Sequence, residues 1–476
     1  MNVLLFLPDL LLLCLGFVIF GIDLFKPDEQ GRKNVFHVCW LGLLIIFAVL
    51  LLLPYDKDIV YFNGYRAYGL GLLFKQVFIL SALFTVLLSQ SYFAEKGNWR
   101  GAMVNKGEFY GIIIFCTVGM FTVVSATDLL TLFIGMELAT IPLYVLSAYQ
   151  KGDAQAAEAS TKFIIMGALA TGFAIFGYSL LYGCAGSLSF EAIAAYGSAN
   201  RQDPMLGLGV LFVLAAIGFK LTLFPFHMWA PDVYEGASTP VTAFLSVSSK
   251  AAAVGFLVTL LYGPFAPLHG QLQLPILIVA SFTMVVGNLG AMRQKNLRRF
   301  MAYSSIAQAG YILMAMAGFA PFAKSAIIYY LLVYAAANYA TFFIISIVGR
   351  NQDETFSSLR GLAKQSPALG VALMLAMFSL AGIPPLAGFA GKFLLFASAA
   401  KEGFYFFVVF AALNSTISLY YYLLLVKEAY ILQPAGEVQP LKVTFVQRSS
   451  IINLTMAMIL LGLVPYFSSV IMQIVG

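Results

Sequence analysis

Runs of about twenty apolar residues, separated by short polar connections, recur along this 476-residue chain. This spacing limits the fold more than any other feature. A helix rises about 1.5 Å per residue, so ~20 residues cross the hydrocarbon core of a bilayer. Nothing in that core can hydrogen-bond an open backbone, so runs of this length must be helical. They fall at 3–22, 35–53, 72–93, 109–127, 129–149, 161–184, 205–224, 240–262, 272–292, 300–319, 325–349, 367–400, 404–432 and 447–472. The expected fold is an all-α polytopic membrane protein with about 14 transmembrane helices. Only 10% of residues are charged and the mean hydropathy is +0.90, which excludes an ordinary soluble enzyme. The first run, Val3 to Ile22, lacks a charged n-region and a small-residue cleavage site, so it reads as a true span rather than a signal peptide.

Basic residues orient the helices. Connections that follow odd-numbered spans hold Lys26, Arg32, Lys33, Lys96, Arg100, Lys106, Lys151, Arg293, Lys295, Arg298, Arg299, Arg350, Arg360, Lys364, Lys442 and Arg448. Those that follow even-numbered spans hold only Lys57, Arg66, Arg201, Lys324 and Lys401. Cytoplasmic loops carry the excess of Lys and Arg, which predicts both termini on the outer, periplasmic side. This bias explains the net charge of +6 without a nucleic-acid partner. The longest polar connections, near 94–108, 351–366 and 433–446, are too short to fold alone. The four cysteines are scattered, with no metal-ligand spacing, and there is no Rossmann glycine pattern or P-loop.

Six cations lie outside those loops: Lys75, Lys162, Lys220, Lys250, Lys392 and Lys427. Lys75 and Lys427 sit near span ends, where long side chains are expected to snorkel to the interface. The tyrosine-rich LYYYLLLVKEAY around Lys427 reads as an interfacial belt. Lys220, Lys250 and Lys392 fall well inside spans, Lys162 near the start of one, and Glu137 mid-span in LFIGMELATIPLY. Each intramembrane charge costs at least about 2.5 kcal/mol, and such residues mark ion or proton paths. Mutual pairing alone would not account for four lysines and one glutamate. Counted from the turn near Gly152, Glu137 and Lys162 lie at depths of roughly 22 and 15 Å, within reach of each other across an antiparallel hairpin. An amine buried without an acid tends to lose its charge, which makes it a proton-relay element.

Two lysines stand beside proline breaks: Lys220 before LFPFH and Lys392 after AGIPPLAGFAG. A proline inside a helix frees carbonyls that lipid cannot satisfy, so such breaks face protein or water. Discontinuous helices at mid-membrane, one in each half of the chain, are the layout of transporters with duplicated halves. His227 follows the first break, and imidazole chemistry suits a proton carrier.

GFKLTLFPFHMWAPDVYEGASTPVTAFLSVSSK resembles the signature of the antiporter-like subunits of proton-pumping NADH:quinone oxidoreductase, respiratory complex I. PDVYEGASTPVTAF is most similar to the subunit N branch, and RRFMAYSSIAQAGYIL and AGIPPLAGFAGKF fit the same branch. A cyanobacterial and plastid counterpart shares these motifs. The resemblance covers about 109–430. It implies two inverted five-helix repeats, 109–262 and 272–432, preceded by three helices over 1–108 and followed by a last helix over 447–476. Helices seven and twelve would be broken. It also implies a proton axis in which Glu137 pairs with Lys162 and Lys220, Lys250 and Lys392 follow, with His227 a further relay candidate. Lysine rather than glutamate at 392 fits subunit N.

The implied activity is proton translocation coupled to quinone reduction elsewhere. This chain would carry no cofactor; NADH, FMN, iron–sulfur clusters and quinone would belong to partner subunits. The implied partners are the lipid bilayer and other membrane-arm subunits, sister antiporter-like subunits among them. The implied location is the bacterial cell inner membrane. Other readings are a subunit of a multi-subunit cation/proton antiporter or membrane-bound hydrogenase, a stand-alone solute transporter, and a structural scaffold.

Overall fold

The structure, a computed structural model, describes residues 3–25, 29–62, 64–95, 106–150, 152–319, 321–349, 354–433, 441–464 and 466–475. Of the cations used to orient the spans, Lys26, Lys96, Arg100, Lys151 and Arg350 lie outside the described residues. A 3-10 turn at Val3–Phe6 leads into α1 (Leu7–Phe25) and α2 (Glu29–Leu52), followed by a hairpin of β1 (Ile59–Tyr61) and β2 (Tyr65–Ala67). Next come α3 (Gly69–Glu95), α4 (Lys106–Ser125), α5 (Leu129–Ser147), α6 (Ala154–Ala185), α7 (Phe190–Ala199), α8 (Pro204–Lys220) and α9 (Trp229–Gly236). α10 (Thr239–Phe244) continues through a π-turn at Leu245–Ser249 into α11 (Lys250–Tyr262). The rest are α12 (His269–Ala291), α13 (Leu297–Met316), α14 (Pro321–Val348), α15 (Leu362–Gln365), α16 (Pro367–Ala381), α17 (Ala387–Lys401), α18 (Tyr405–Tyr430), α19 (Phe445–Leu463) and α20 (Tyr466–Val475).

Among the described residues, eleven helices are long and apolar enough to cross a membrane. The expected spans at 205–224, 300–319 and 367–400 correspond to α8, α13 and the broken pair α16 and α17. Two boundaries move for local reasons. α6 begins seven residues before the expected 161, because the Asp153 carboxylate caps it by accepting from the Gln155 and Ala156 amides. α8 ends at Lys220, ahead of Pro225, with Thr222 already at φ +60°. Pro225 has no amide to offer the Leu221 carbonyl four residues before it, and its ring clashes with that carbonyl, so the helix stops ahead of Leu221.

The chain divides into two compact units. The first comprises Met1–Val86, Ala102–Trp229 and Ser248–Pro275. Here α4 packs along α1 and α5, and α6 along α8. The α6–α8 crossing is backbone to backbone: a methyl group added at Gly177 would come within 2.8 Å of the Gly209 carbonyl. Asp203 pins the start of α8, accepting from the Met205 amide at 2.9 Å and the Tyr196 hydroxyl at 2.6 Å. That hydroxyl holds the Asp203 carboxyl below its usual range, and the same bond pushes the Tyr196 phenol up to about 12.

One expectation for this unit is overturned. Lys75 does not snorkel; it is only 1% exposed. Its Nζ lies 3.0 Å from both Asp9 carboxylate oxygens on α1 and from the Tyr65 hydroxyl on β2. The Tyr65 hydroxyl also donates to Asp9. Once enclosed, the ammonium needs a partner, and Asp9 and Tyr65 supply it.

The second unit comprises Leu87–Gly101, Ala230–Val247 and Ile276–Gly476. Its α14 is packed by α16, α17 and α19. Two arginines at the start of α13 clamp the α9–α10 segment. Arg299 reaches Asp232 at 2.7 Å and Glu235 at 2.9 Å, while Arg298 meets Glu354 at 2.6 Å and donates to the Ala237 carbonyl. The expected tyrosine belt is corrected in part: Tyr420 and Tyr430 are exposed, but Tyr421 and Tyr422 are fully buried. The Tyr422 hydroxyl lies 2.6 Å from Ser304 Oγ and accepts from Gln308 at 3.0 Å; the Tyr421 hydroxyl donates to Asn288 at 2.9 Å. These polar partners hold the two rings inside the bundle. Lys427 is exposed in the last turn of α18, as expected.

Candidate functional site

In the first unit the break after α8 brings polar side chains from four helices together. Lys220 is the last residue of α8, at the end where helix carbonyls carry partial negative charge. Its Nζ donates to Thr140 Oγ1 on α5 at 3.0 Å and lies 5.9 Å from the centre of the Tyr144 ring. The Thr140 hydroxyl donates in turn to the Met136 carbonyl at 2.7 Å. Glu137 is three residues before Thr140, so the two share a helix face. Glu137 and Lys220 attract each other electrostatically.

The carbonyls freed by the break are satisfied locally. The Gly218 carbonyl accepts from the Leu223 amide at 2.8 Å. The Phe219 carbonyl accepts from the Thr222 amide and, at 3.0 Å, from the Trp229 indole. The break also presents Thr222, whose Oγ1 accepts from Lys250 Nζ at 3.3 Å. Lys250 follows the π-turn and is 2% exposed. Lys220 thus ends the half-helix before the break and meets Thr140 of α5, while Lys250, thirty residues later in sequence, meets Thr222 of the break itself. A cavity of about 30 Å³ touches Lys220, Thr140, Ser249 and Ala252. It has room for a water molecule.

His227 lies in the same break, 8% exposed, with its ring 6.1 Å from that of Phe224 and its Nδ1 without a hydrogen-bond partner among the described residues. Glu137 and Lys162, expected to pair, have these near partners. Glu137 accepts from Thr171 on α6 at 2.8 Å. Lys162 Nζ lies 2.8 Å from Glu158, one turn earlier in α6, with both side chains exposed.

Lys392 stands in the second unit, where the geometry of the first break recurs by a different route. α16 ends at Ala381, closed by Gly382 in the left-handed conformation at φ +89°. Its last four carbonyls all find donors. Phe378 and Ser379 take the amide of Gly382, and Phe378 also takes that of Ile383. Leu380 takes the Gln308 side chain at 3.2 Å. Ala381 takes Lys392 Nζ at 3.0 Å and Ser415 Oγ at 3.2 Å. Lys392, 4% exposed, also donates to Ser415 at 2.9 Å and sits 4.8 Å from the Tyr311 ring centre. It follows its break in sequence but folds back onto the C-terminal end of the half-helix before it. Lys220 occupies the equivalent end of α8.

Sequence reasoning missed Thr140, Thr222, Ser415 and Gln308. The usable signals were faint: a threonine one turn after Glu137, and another two residues after Lys220. Thr222→Val should remove the hydroxyl that meets Lys250 at nearly constant volume. The expected result, read as proton uptake by membrane vesicles, is a loss of about threefold to tenfold, the size of one hydrogen bond. Unchanged uptake would remove Thr222 from the site.

Comparisons with known proteins identify the family. Residues 126–418 match the family described as NADH:quinone oxidoreductase/Mrp antiporter, TM. A NADH-quinone oxidoreductase subunit N from Moorella thermoacetica is 36% identical over 98% of this chain and 96% of its own length. One from Rhodospirillum rubrum is 37% identical over 89% of this chain and 87% of its own. Among solved structures, a chain of respiratory complex I from Thermus thermophilus with bound aureothin superposes with a TM-score of 0.80 and 33% identity, covering 96% of this chain and 97% of that one. A chain of the Mrp complex from Dietzia sp. shares the fold, with a TM-score of 0.82 at 20% identity, covering 100% of this chain and 97% of its own.

Proposed function

The chain belongs to the NADH:quinone oxidoreductase/Mrp antiporter transmembrane family, and from that membership we propose that it is a subunit-N-type, proton-translocating membrane subunit of NADH:quinone oxidoreductase. The observation that carries this reading is the pair of contacts Lys220–Thr140 and Lys250–Thr222 at one helix break. Lys220, held by a neutral hydroxyl rather than locked to a carboxylate, can exchange its proton without leaving a buried counter-charge. Glu137 biases Lys220 through space, so a change in the surroundings of Glu137 alters the proton affinity of Lys220. Charge on one ammonium opposes charge on the next, and protons pass one at a time. His227 is an additional relay group, and Lys392 is the corresponding site of the second unit.

The family reading divides the chain into inverted repeats at 109–262 and 272–432, supported by the recurrence of a broken helix with a lysine at its carbonyl end in each. Electron donors and acceptors, namely NADH, FMN, iron–sulfur clusters and quinone, reside in partner subunits, and the chain alone pumps nothing. It lies in the bacterial inner membrane beside other membrane-arm subunits, with both termini outside, a reading supported by the excess of cations in alternate loops. The antiporter and hydrogenase readings share the fold. Relatives at 36–37% identity, the PDVYEG stretch and Lys392 favour complex I.

Glu137→Gln tests the proposal, because it keeps the Thr171 contact and removes only the charge. In membranes with an intact complex, NADH-driven quinone reduction and proton pumping are expected to fall together, by roughly threefold to tenfold for a partly exposed charge acting through space. If both rates equal those of the unmodified complex, Glu137 does not drive the site.

A further inference from the structure

We propose that the groove between α16 and α19 binds one anionic phospholipid of the phosphatidylglycerol class, with its phosphate at Arg448. The groove is about 670 Å³ and lies wholly within the second unit. Leu369, Ala372, Ile451, Ile452 and Met456 line it, and their chemistry suits acyl chains. Its length fits one leaflet. From the start of α19 at Phe445 to Met456 is eleven residues. At about 1.5 Å per residue this is ~16 Å, half of the ~30 Å hydrocarbon core. A protein segment would have no reason to stop at mid-membrane, whereas a lipid does.

The surface end of the groove fixes the sign of the headgroup. Ser366 and Val443 line it there, at the starts of α16 and just before α19. Arg448 lines it directly and is exposed on the first turn of α19. Lys364 and Lys442 stand two residues and one residue from lining positions, and both are exposed. Arg360 nearby in sequence is already held by Glu428 at 2.8 Å, but Arg448, Lys364 and Lys442 have no acidic partner among the described residues. A basic mouth on an apolar trough one leaflet deep recognises a phosphate that carries acyl chains. Each cation at the membrane surface strengthens anionic-lipid binding about fivefold.

The test uses the assembled complex in vesicles that contain either phosphatidylglycerol or phosphatidylcholine with a photoreactive diazirine in the acyl chain. After irradiation, adducts are mapped to residues 366–372 and 443–456. Phosphatidylglycerol is expected to label these segments at least about fivefold more than phosphatidylcholine. R448Q should lower phosphatidylglycerol labelling about fivefold and leave phosphatidylcholine labelling unchanged. A368W, which fills the trough from an exposed lining position, should lower both. Equal labelling by the two lipids, R448Q labelling equal to the unmodified chain, or an absence of lipid adducts because another subunit covers the groove would each overturn the proposal. If a variant fails to assemble, the labelling ratio of the unmodified complex decides alone.

Discussion

Replacing Lys220 by alanine in the assembled complex is expected to lower quinone-reductase activity and proton pumping together, by about tenfold or more, the scale on which a positioned proton-transfer group acts. The fold should tolerate the change. Thr140 keeps its bond to the Met136 carbonyl, and the carbonyls at the end of α8 keep the amides and indole that satisfy them. The ammonium disappears, and with it the one group that Glu137 biases from the end of that helix. Lys220→Arg separates the two roles of the charge. Guanidinium keeps the cation but does not release its proton in proteins. If proton exchange is what Lys220 supplies, the arginine variant pumps as poorly as the alanine variant. Full activity in the arginine variant would show that a fixed charge suffices, and activity in both would make the residue a packing element.

Lys75→Met is the second large effect, and it concerns stability. The substitution leaves the Asp9 carboxylate, on the first turn of α1, without its cation and with the Tyr65 hydroxyl as its remaining side-chain partner among the described residues. Removing one partner of a buried pair costs about 3–5 kcal/mol, most of it the stranded charge. The subunit should be lost from the complex at a lower temperature. Asp9→Leu added to Lys75→Met should restore much of the loss, because an apolar replacement of both partners leaves nothing unpaired. A single variant as heat-resistant as the unmodified complex would show that the pair contributes little.

The contrast between these two lysines shows what a sequence exposes and what it conceals. The spans were legible because hydrophobic run length is a local property and the bilayer fixes its scale. Lys220 and Lys392 were legible because a cation beside a proline in an apolar run is a conspicuous conflict. Lys75 offered no such conflict. Its partner lies 66 residues away on another helix, and proximity to a span end made an interfacial position seem cheaper. Thr140 meets Lys220 across 80 residues, and nothing near either one announces the contact. The inward turn of Tyr421 and Tyr422 was hidden for the same reason. A tyrosine belt and a tyrosine core look alike until the Ser304, Gln308 and Asn288 partners are placed. The fold-back of Lys392 onto Ala381 depends on the path of α17 after its break, which residue spacing does not specify.

The backbone-to-backbone seat of α8 on α6 has a mechanical consequence. With Gly177 against Gly209 in its first half and Asp203 fastening its start, α8 cannot slide like a piston without driving carbonyls into one another. It behaves as a fixed strut. Whatever moves at its far end must be light: the methylene arm of Lys220, a hydroxyl rotor, a water. A gate of that kind works by swinging a few atoms over a few ångströms, and the viscosity of the surrounding lipid has little to push against.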